Sequence, residues 1–313
     1  MTTQKINTLE NGMKTTLPML VTNVLRGVTQ NGAPYLTISF QDNTGSIEGK
    51  WWDVKPFDEA NVKQGKIGMV KVDAILYKGA LQLRVHNIDF SESYNVNDFV
   101  LGSQYEPEFL KKEIEGFKNM IENSVYRSIV DKCFDFYGED FYLYPAATKN
   151  HHDFVGGLAT HVYGMCLLAV DLCKLYPILD LDLLLAGVLL HDMGKIEEYS
   201  APILSEYTPQ GKLLGHISIM QAKVYEVTCE LGVRDTEEAM LLRHLILSHH
   251  GQYEYGSPVL PLVKEAEILN FIDNIDARMN MFDKIYKDLE EGTFAPRAFP
   301  LENRTFYKGK GVK

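Results

Sequence analysis

Eight of the nine histidines in the chain fall between His151 and His250. Several sit in apolar, helix-like surroundings: LATHVYGM, LLHDMGK and LLGHISIM. One such histidine alone reads as a hydrogen-bonded core residue. So many together do not, because each buried imidazole needs its own polar partner. Metal ligation is the simplest alternative. Neutral imidazole combined with carboxylate suits Mn²⁺, Fe²⁺, Ni²⁺ or Zn²⁺, whereas Mg²⁺ prefers oxygen. The adjacent pair His191-Asp192 closes an apolar stretch, AGVLLHDMGK. Two neighbouring ligands at a helix end can turn toward one ion, and a second carboxylate oxygen can reach another. The four cysteines, Cys133, Cys166, Cys173 and Cys229, form no C-x-x-C pair. They write neither a zinc knuckle nor a thioredoxin-like site and fit reduced thiols in the cytoplasm.

The elements that must hold these residues divide into two textures. Residues 1–95 carry ten Lys/Arg and nine Asp/Glu, while the rest of the 313-residue chain carries 21 and 33. The net charge of −11 therefore belongs to the second part, and a globally basic nucleic-acid binder is excluded. In the first part Leu36, Ile38 and Phe40 alternate with Tyr35, Thr37 and Ser39. Val70, Val72 and Ala74, and then Leu81, Leu83 and Val85, repeat the pattern. Period-2 alternation means strands with one buried face. Turn signals at Asn31-Gly32, Asp42–Gly45 and Lys78-Gly79 separate them. About five short strands in ~75 residues suit a small barrel of the OB type. Residues 96–106 read as a polar linker. From 107 the pattern is helical, with one long helix over 108–136 and others at 157–176, 182–192, 215–231, 235–249 and 261–290. The expected architecture is an all-β OB-like barrel (1–95), a linker, an all-α bundle (107–300) and a basic tail (301–313). The N-terminus lacks the apolar core of a signal peptide. The longest apolar run, Leu183–Leu190, is too short to span a bilayer, so no membrane partner is expected.

LLHDMGK resembles the signature of the HD phosphohydrolase superfamily, whose order is His…His-Asp…Asp. His161 in GGLATH, His191-Asp192 and Asp273 in AEILNFIDNIDAR fill that order. His216 in LLGH and His249 in ILSHHG match the extra ligands of two-metal members. GGLATH, HDMGK, LLGHISI, LSHHGQYEYGSPVLP and EAEILNFIDNIDAR also occur in the order seen in YhaM-type 3′→5′ exoribonucleases. Those proteins, too, carry an OB-like domain before the HD domain, so the resemblance covers nearly the whole chain.

The resemblance implies hydrolysis of phosphodiester bonds by water activated between two divalent ions. Mn²⁺ is the foremost expectation, with Fe²⁺, Co²⁺, Ni²⁺ or Mg²⁺ as alternatives. Asp192 is the implied bridging carboxylate. His161, His191 and Asp273 would hold one ion, and His216 and His249 the other. The adjacent His249 and His250 leave open which one faces the metal; His250 is otherwise expected at the substrate. His244 reads as helix packing. His151 and His152 either reach a substrate phosphate or cap the helix that follows. Lys195, about one helical turn after Asp192, is expected to pair with a phosphate oxygen in the transition state; otherwise it is a solvated lysine favoured by a helix dipole.

Face arithmetic supplies the substrate class. Ile47, Gly49 and Trp51 share one strand face, while Glu48, Lys50 and Trp52 share the other. Ile47 belongs in a core, so Trp51 should be buried and Trp52 exposed. Trp52 beside Lys50, with Arg84 outward on a later strand, suits base stacking plus phosphate attraction. The competing reading of Trp52 is a domain or subunit contact. The basic segment RTFYKGKGVK either touches nucleic acid or is a loose tail.

The leading expectation is a 3′→5′ exoribonuclease for single-stranded RNA, with single-stranded DNA a further substrate. Its polarity and RNA preference rest on the resemblance alone. Two alternatives compete with it. One is hydrolysis of a small nucleotide, such as a deoxynucleoside triphosphate or a cyclic dinucleotide. The other is a single-stranded nucleic-acid-binding protein with a non-catalytic HD domain. The oligomeric state, a homo-oligomer included, is left open.

Overall fold

The structure, a computed structural model, describes residues 4–100, 102–147, 152–287 and 289–311. It divides into two compact units, Met1–Gly102 and Ser103–Lys313.

The first unit is a closed five-stranded barrel. Its strands are β1 (Lys14–Val28), β2 (Pro34–Asp42), β3 (Gly45–Trp52), β4 (Ile67–Tyr77) and β5 (Ala80–Asp89), with helix α1 (Pro56–Asn61) between β3 and β4. The order around the barrel is β1-β2-β3-β5-β4, the OB arrangement. β1 is long enough to serve both neighbours: its first half pairs with β4 and its second with β2. A bulge between Val21 and Asn23 bends it from one to the other. The alternating residues behave as expected, with Leu36, Ile38, Phe40, Val70, Val72, Ala74, Leu83 and Val85 filling the interior. The alternation in β5 then slips, because the ladder with β4 skips His86 and Ile88 becomes the next buried residue. Residues of the expected linker also belong here: Phe99 and Val100 are buried, and Gln41 donates to the Phe99 carbonyl at 3.3 Å.

The second unit is helical: α2 (Pro107–Asn119), α3 (Ser124–Tyr137), α4 (Gly157–Leu175), α5 (Leu181–Leu190), α6 (Lys195–Glu198), α7 (Pro209–Glu230), α8 (Glu237–Ser248) and α9 (Lys264–Lys287). The single helix expected over 108–136 is two. Asn123 stops it, its side chain accepting from the backbone N–H of Val125 and Tyr126 to start α3. Asp180, Thr208 and Thr236 cap α5, α7 and α8 in the same way. Every residue from Leu183 to Leu190 is buried, so α5 is the central helix, packed by α3, α4, α8 and α9. α4 is long and apolar enough by composition to cross a membrane, yet most of its apolar residues pack in this core, Leu167 and Leu175 being exposed.

The C-terminal segment is not a free tail in its described part. Phe294 bridges Tyr307 and Ala298 bridges Arg304. Lys308 Nζ donates to the carbonyls of Tyr286 and Leu289 at 2.8 Å each, closing the end of α9.

Candidate metal centre and nucleic-acid face

The cluster forms where helix ends meet around α5. His191 is the residue at the C-terminal cap of α5, and Asp192 follows it. His161 comes from the first turns of α4, His249 from the end of α8, and Asp273 from the middle of α9. His216 lies inside α7, directly after Gly215, whose φ of 72° and ψ of 152° break the helix. Only glycine adopts that backbone readily, and the break turns His216 toward the cluster.

The two oxygens of Asp192 face opposite halves. Oδ2 is 3.3 Å from His191 Nε2 and 3.8 Å from His161 Nε2, and His161 Nε2 is 3.2 Å from Asp273 Oδ1. Oδ1 is 3.3 Å from His216 Nε2 and 3.7 Å from His249 Nε2. The donor atoms of His161, His191 and Asp273 lie within 4.8 Å of one another, as do those of His216, His249 and His250. Among the described residues, no hydrogen-bond partner reaches the buried His191 Nε2, His216 Nε2, His249 Nε2 or Asp192 Oδ1. Buried polar atoms left in that state are costly unless a cation satisfies them. The donor set, neutral imidazoles with carboxylates, fits two divalent ions.

The far nitrogens explain why the rings point inward. His191 Nδ1 meets the Val188 carbonyl at 2.9 Å, and His249 Nδ1 the Ile246 carbonyl at 2.8 Å. His161 Nδ1 meets Asp276 Oδ2 at 2.6 Å, and His216 Nδ1 meets Glu198 Oε1 at 3.2 Å. Each such contact holds the proton on Nδ1 and turns the Nε2 lone pair to the centre. Asp276 and Glu198 were missed in the sequence. Asp276 repeats Asp273 after three residues, one helical turn on, which is a signal that could have found it. Glu198 has no such signal.

Burial and neighbouring charge act differently on each ligand. Burial pushes the Asp192 carboxyl up, but Lys195, His191 and His216 outweigh it and hold it well below the ordinary carboxylate range. Burial, reinforced by His250 and His191, keeps His249 far below the usual imidazole value and therefore neutral. Burial also lowers His161, but the Asp273 and Asp276 carboxylates on its two nitrogens raise it to about 10, so an ion at this half has to displace the proton on Nε2.

His152 lies beside His161, with ring centroids 5.4 Å apart. It is buried, and its Nε2 lies 2.7 Å from Asp276 Oδ2, so it shares the carboxylate that orients His161. His151 lies outside the described residues. His249 and His250 both converge on His216, and His250 Nδ1 is held by the Tyr255 carbonyl at 2.7 Å. Lys195 is buried rather than solvated, with Nζ 2.5 Å from Asp192 Oδ2. His244 is a packing residue whose Nε2 accepts from the Leu262 N–H at 2.9 Å.

On the barrel, Trp51 is buried and Trp52 is 45% exposed. Tyr35, opposite Trp52 on β2, completes an aromatic pair with ring centroids 4.8 Å apart. Lys50 Nζ lies 5.1 Å from the Tyr35 ring and 5.9 Å from the Trp52 ring. Arg84 is exposed on β5 in register with Lys50. Tyr35 was visible in the sequence as an outward strand position, but its pairing with Trp52 needed the β2–β3 register.

The family model for the HD domain matches residues 158–278, the span from α4 to α9 that carries the cluster. The solved second OB-fold domain of replication protein A from Methanococcus maripaludis aligns with 29% of this chain and 97% of its own, at 24% identity and a TM-score of 0.25. Full-length relatives are closer. The protein named 3′-5′ exoribonuclease YhaM from Geobacillus sp. (strain WCH70) is 43% identical over 302 residues, 96% of this chain and 93% of that one. Its namesakes from Bacillus pumilus and Bacillus licheniformis are 42% and 43% identical, over 97% and 96% of this chain. With that identity across barrel and helical unit alike, the chain belongs to the YhaM family of HD-domain exoribonucleases.

Proposed function

We propose that the protein is a metal-dependent 3′→5′ exoribonuclease acting on single-stranded RNA in the cytoplasm. The observation that carries this reading is the split of Asp192, one oxygen toward His161, His191 and Asp273 and the other toward His216 and His249. His161, His191 and Asp273 would hold one ion and His216, His249 and His250 the other, with Asp192 serving both. When bound, the ions would supply an activated water and neutralise charge on the attacked phosphate. Imidazole-rich donors favour Mn²⁺ over Mg²⁺, with Fe²⁺, Co²⁺ and Ni²⁺ also suited.

The protein supplies the rest. Lys195 places an ammonium at the cluster, where it pairs with a non-bridging phosphate oxygen as charge builds in the transition state. Asp276 and Glu198 fix the ring orientation of His161 and His216. On the barrel, Tyr35 and Trp52 offer stacking surfaces to bases of any sequence, with Lys50 and Arg84 attracting the backbone. Free thiols at all four cysteines fit the reducing compartment.

The test is incubation with 5′-labelled single-stranded RNA, with and without Mn²⁺, and with the matching DNA. A metal-dependent ladder shortening from the 3′ end is expected. Turnover of mononucleotides alone would replace this reading with small-nucleotide hydrolysis. Binding without turnover under any metal would leave a nucleic-acid-binding protein.

A further inference from the structure

Each half of the cluster is oriented by main-chain carbonyls and by one carboxylate. In the half facing Asp192 Oδ1, His249 and His250 take their orientation from main-chain carbonyls, Ile246 and Tyr255. Those contacts come with the fold and no side-chain change removes them. His216 differs. It follows the helix break at Gly215, so its backbone N–H stands at the start of a new helical segment, where donors look outside the helix for partners. One buried oxygen serves both of its donors: Glu198 Oε1 accepts from His216 N at 3.0 Å and from His216 Nδ1 at 3.2 Å.

Glu198 is itself held firmly. Its N–H donates to the Gly194 carbonyl at 3.0 Å, and its carbonyl accepts from Thr208 N at 2.9 Å. Gly194, in the HDMGK motif, brings the two segments together: a Cβ there would lie 2.4 Å from the His216 carbonyl oxygen. The segment after Asp192 and the segment carrying His216 are thus pressed together, and Glu198 is the side chain that locks the ring.

We propose that Glu198 is the positioning residue of the His216–His249–His250 half, so that binding of the second ion depends on it while the first half is left intact. This rests on the two-ion reading above. The carboxylate fixes backbone and ring together and raises the basicity of Nε2, as carboxylates behind ligating histidines do. Glu198 acts through His216 and not as a ligand itself.

The test compares wild type, Glu198→Gln and Glu198→Ala after equilibrium dialysis against graded Mn²⁺. Bound metal is counted by mass spectrometry and the ion pair followed by its exchange-coupled electron paramagnetic resonance signal. Wild type should hold two ions and show the coupled signal. Glu198→Ala should keep one ion and show an isolated Mn²⁺ signal, its second affinity weaker by roughly 10- to 100-fold. Glu198→Gln keeps an acceptor oxygen for both His216 donors and should fall between, which carries the test should the alanine variant fail to fold. Wild-type second-ion affinity in the folded variants overturns the proposal. So does equal loss of both ions in a folded variant, which would make Glu198 general scaffold. Should wild type itself hold fewer than two ions, the two-ion reading fails rather than the role of Glu198 within it.

Discussion

Lys195 and Trp52 show what single residues contribute and how far each could be read in advance. The resemblance to the HD signature marked His161, His191, Asp192, His216, His249 and Asp273, whereas residue types alone pointed only to a metal-binding histidine cluster around the His191-Asp192 pair. Their supports were less legible: a carboxylate behind a histidine needs no fixed spacing, and Glu198 reaches His216 across 18 residues. Lys195→Ala should leave metal content unchanged and slow the chemical step at saturating RNA by ~100-fold or more, as loss of one transition-state charge contact typically does. Pre-steady-state cleavage checks it; unchanged turnover would return Lys195 to a purely structural partner of Asp192. Trp52→Ala should weaken RNA binding by ~1–3 kcal/mol, roughly 5- to 150-fold, without altering turnover of a small chromogenic phosphodiester. Fluorescence anisotropy with labelled RNA measures the first, and an equal loss on both substrates would count against a stacking role.

Among the elements, α7 taught most. Helical periodicity placed its start near residue 215, but it begins at Pro209 under a Thr208 cap and breaks at Gly215. The pattern could not show the break, because apolar spacing is blind to a single residue in a non-helical conformation. The long helix expected over 108–136 failed for a related reason: apolar residues continue through Met120 and Ile121, and only the cap at Asn123 ends the run. In the barrel, alternation was sufficient until β5, where the skipped residue His86 shifts the faces. Gly215→Ala should cost about 1–3 kcal/mol, since a side chain there is strained whatever space surrounds it. The same change should displace His216 and reduce Mn²⁺ bound per chain. A thermal melt and a metal count together check it; a variant with normal stability and normal metal content would show that the break is incidental.

For the whole molecule, RNA binding is proposed for the barrel and chemistry for the helical unit. A fragment spanning 103–313 retains every residue of the cluster and keeps Ser103, whose hydroxyl lies 2.7 Å from that of Thr160 on α4. It should fold, bind metal and hydrolyse a small phosphodiester about as well as the full chain. Its degradation of long RNA should weaken through poorer binding, and its salt dependence should flatten as phosphate contacts are lost. Unchanged affinity and salt dependence would remove the barrel from RNA binding and favour a domain or subunit contact for Trp52. The central claim is that Asp192 joins two ions into one hydrolytic centre. Its most direct test is Mn²⁺ titration into metal-free wild type and Asp192→Ala, following ions bound and RNA cleaved in the same samples. Wild type should bind two ions and gain turnover with them, while Asp192→Ala should bind fewer and cleave nothing. Two ions and normal cleavage in Asp192→Ala would contradict the account.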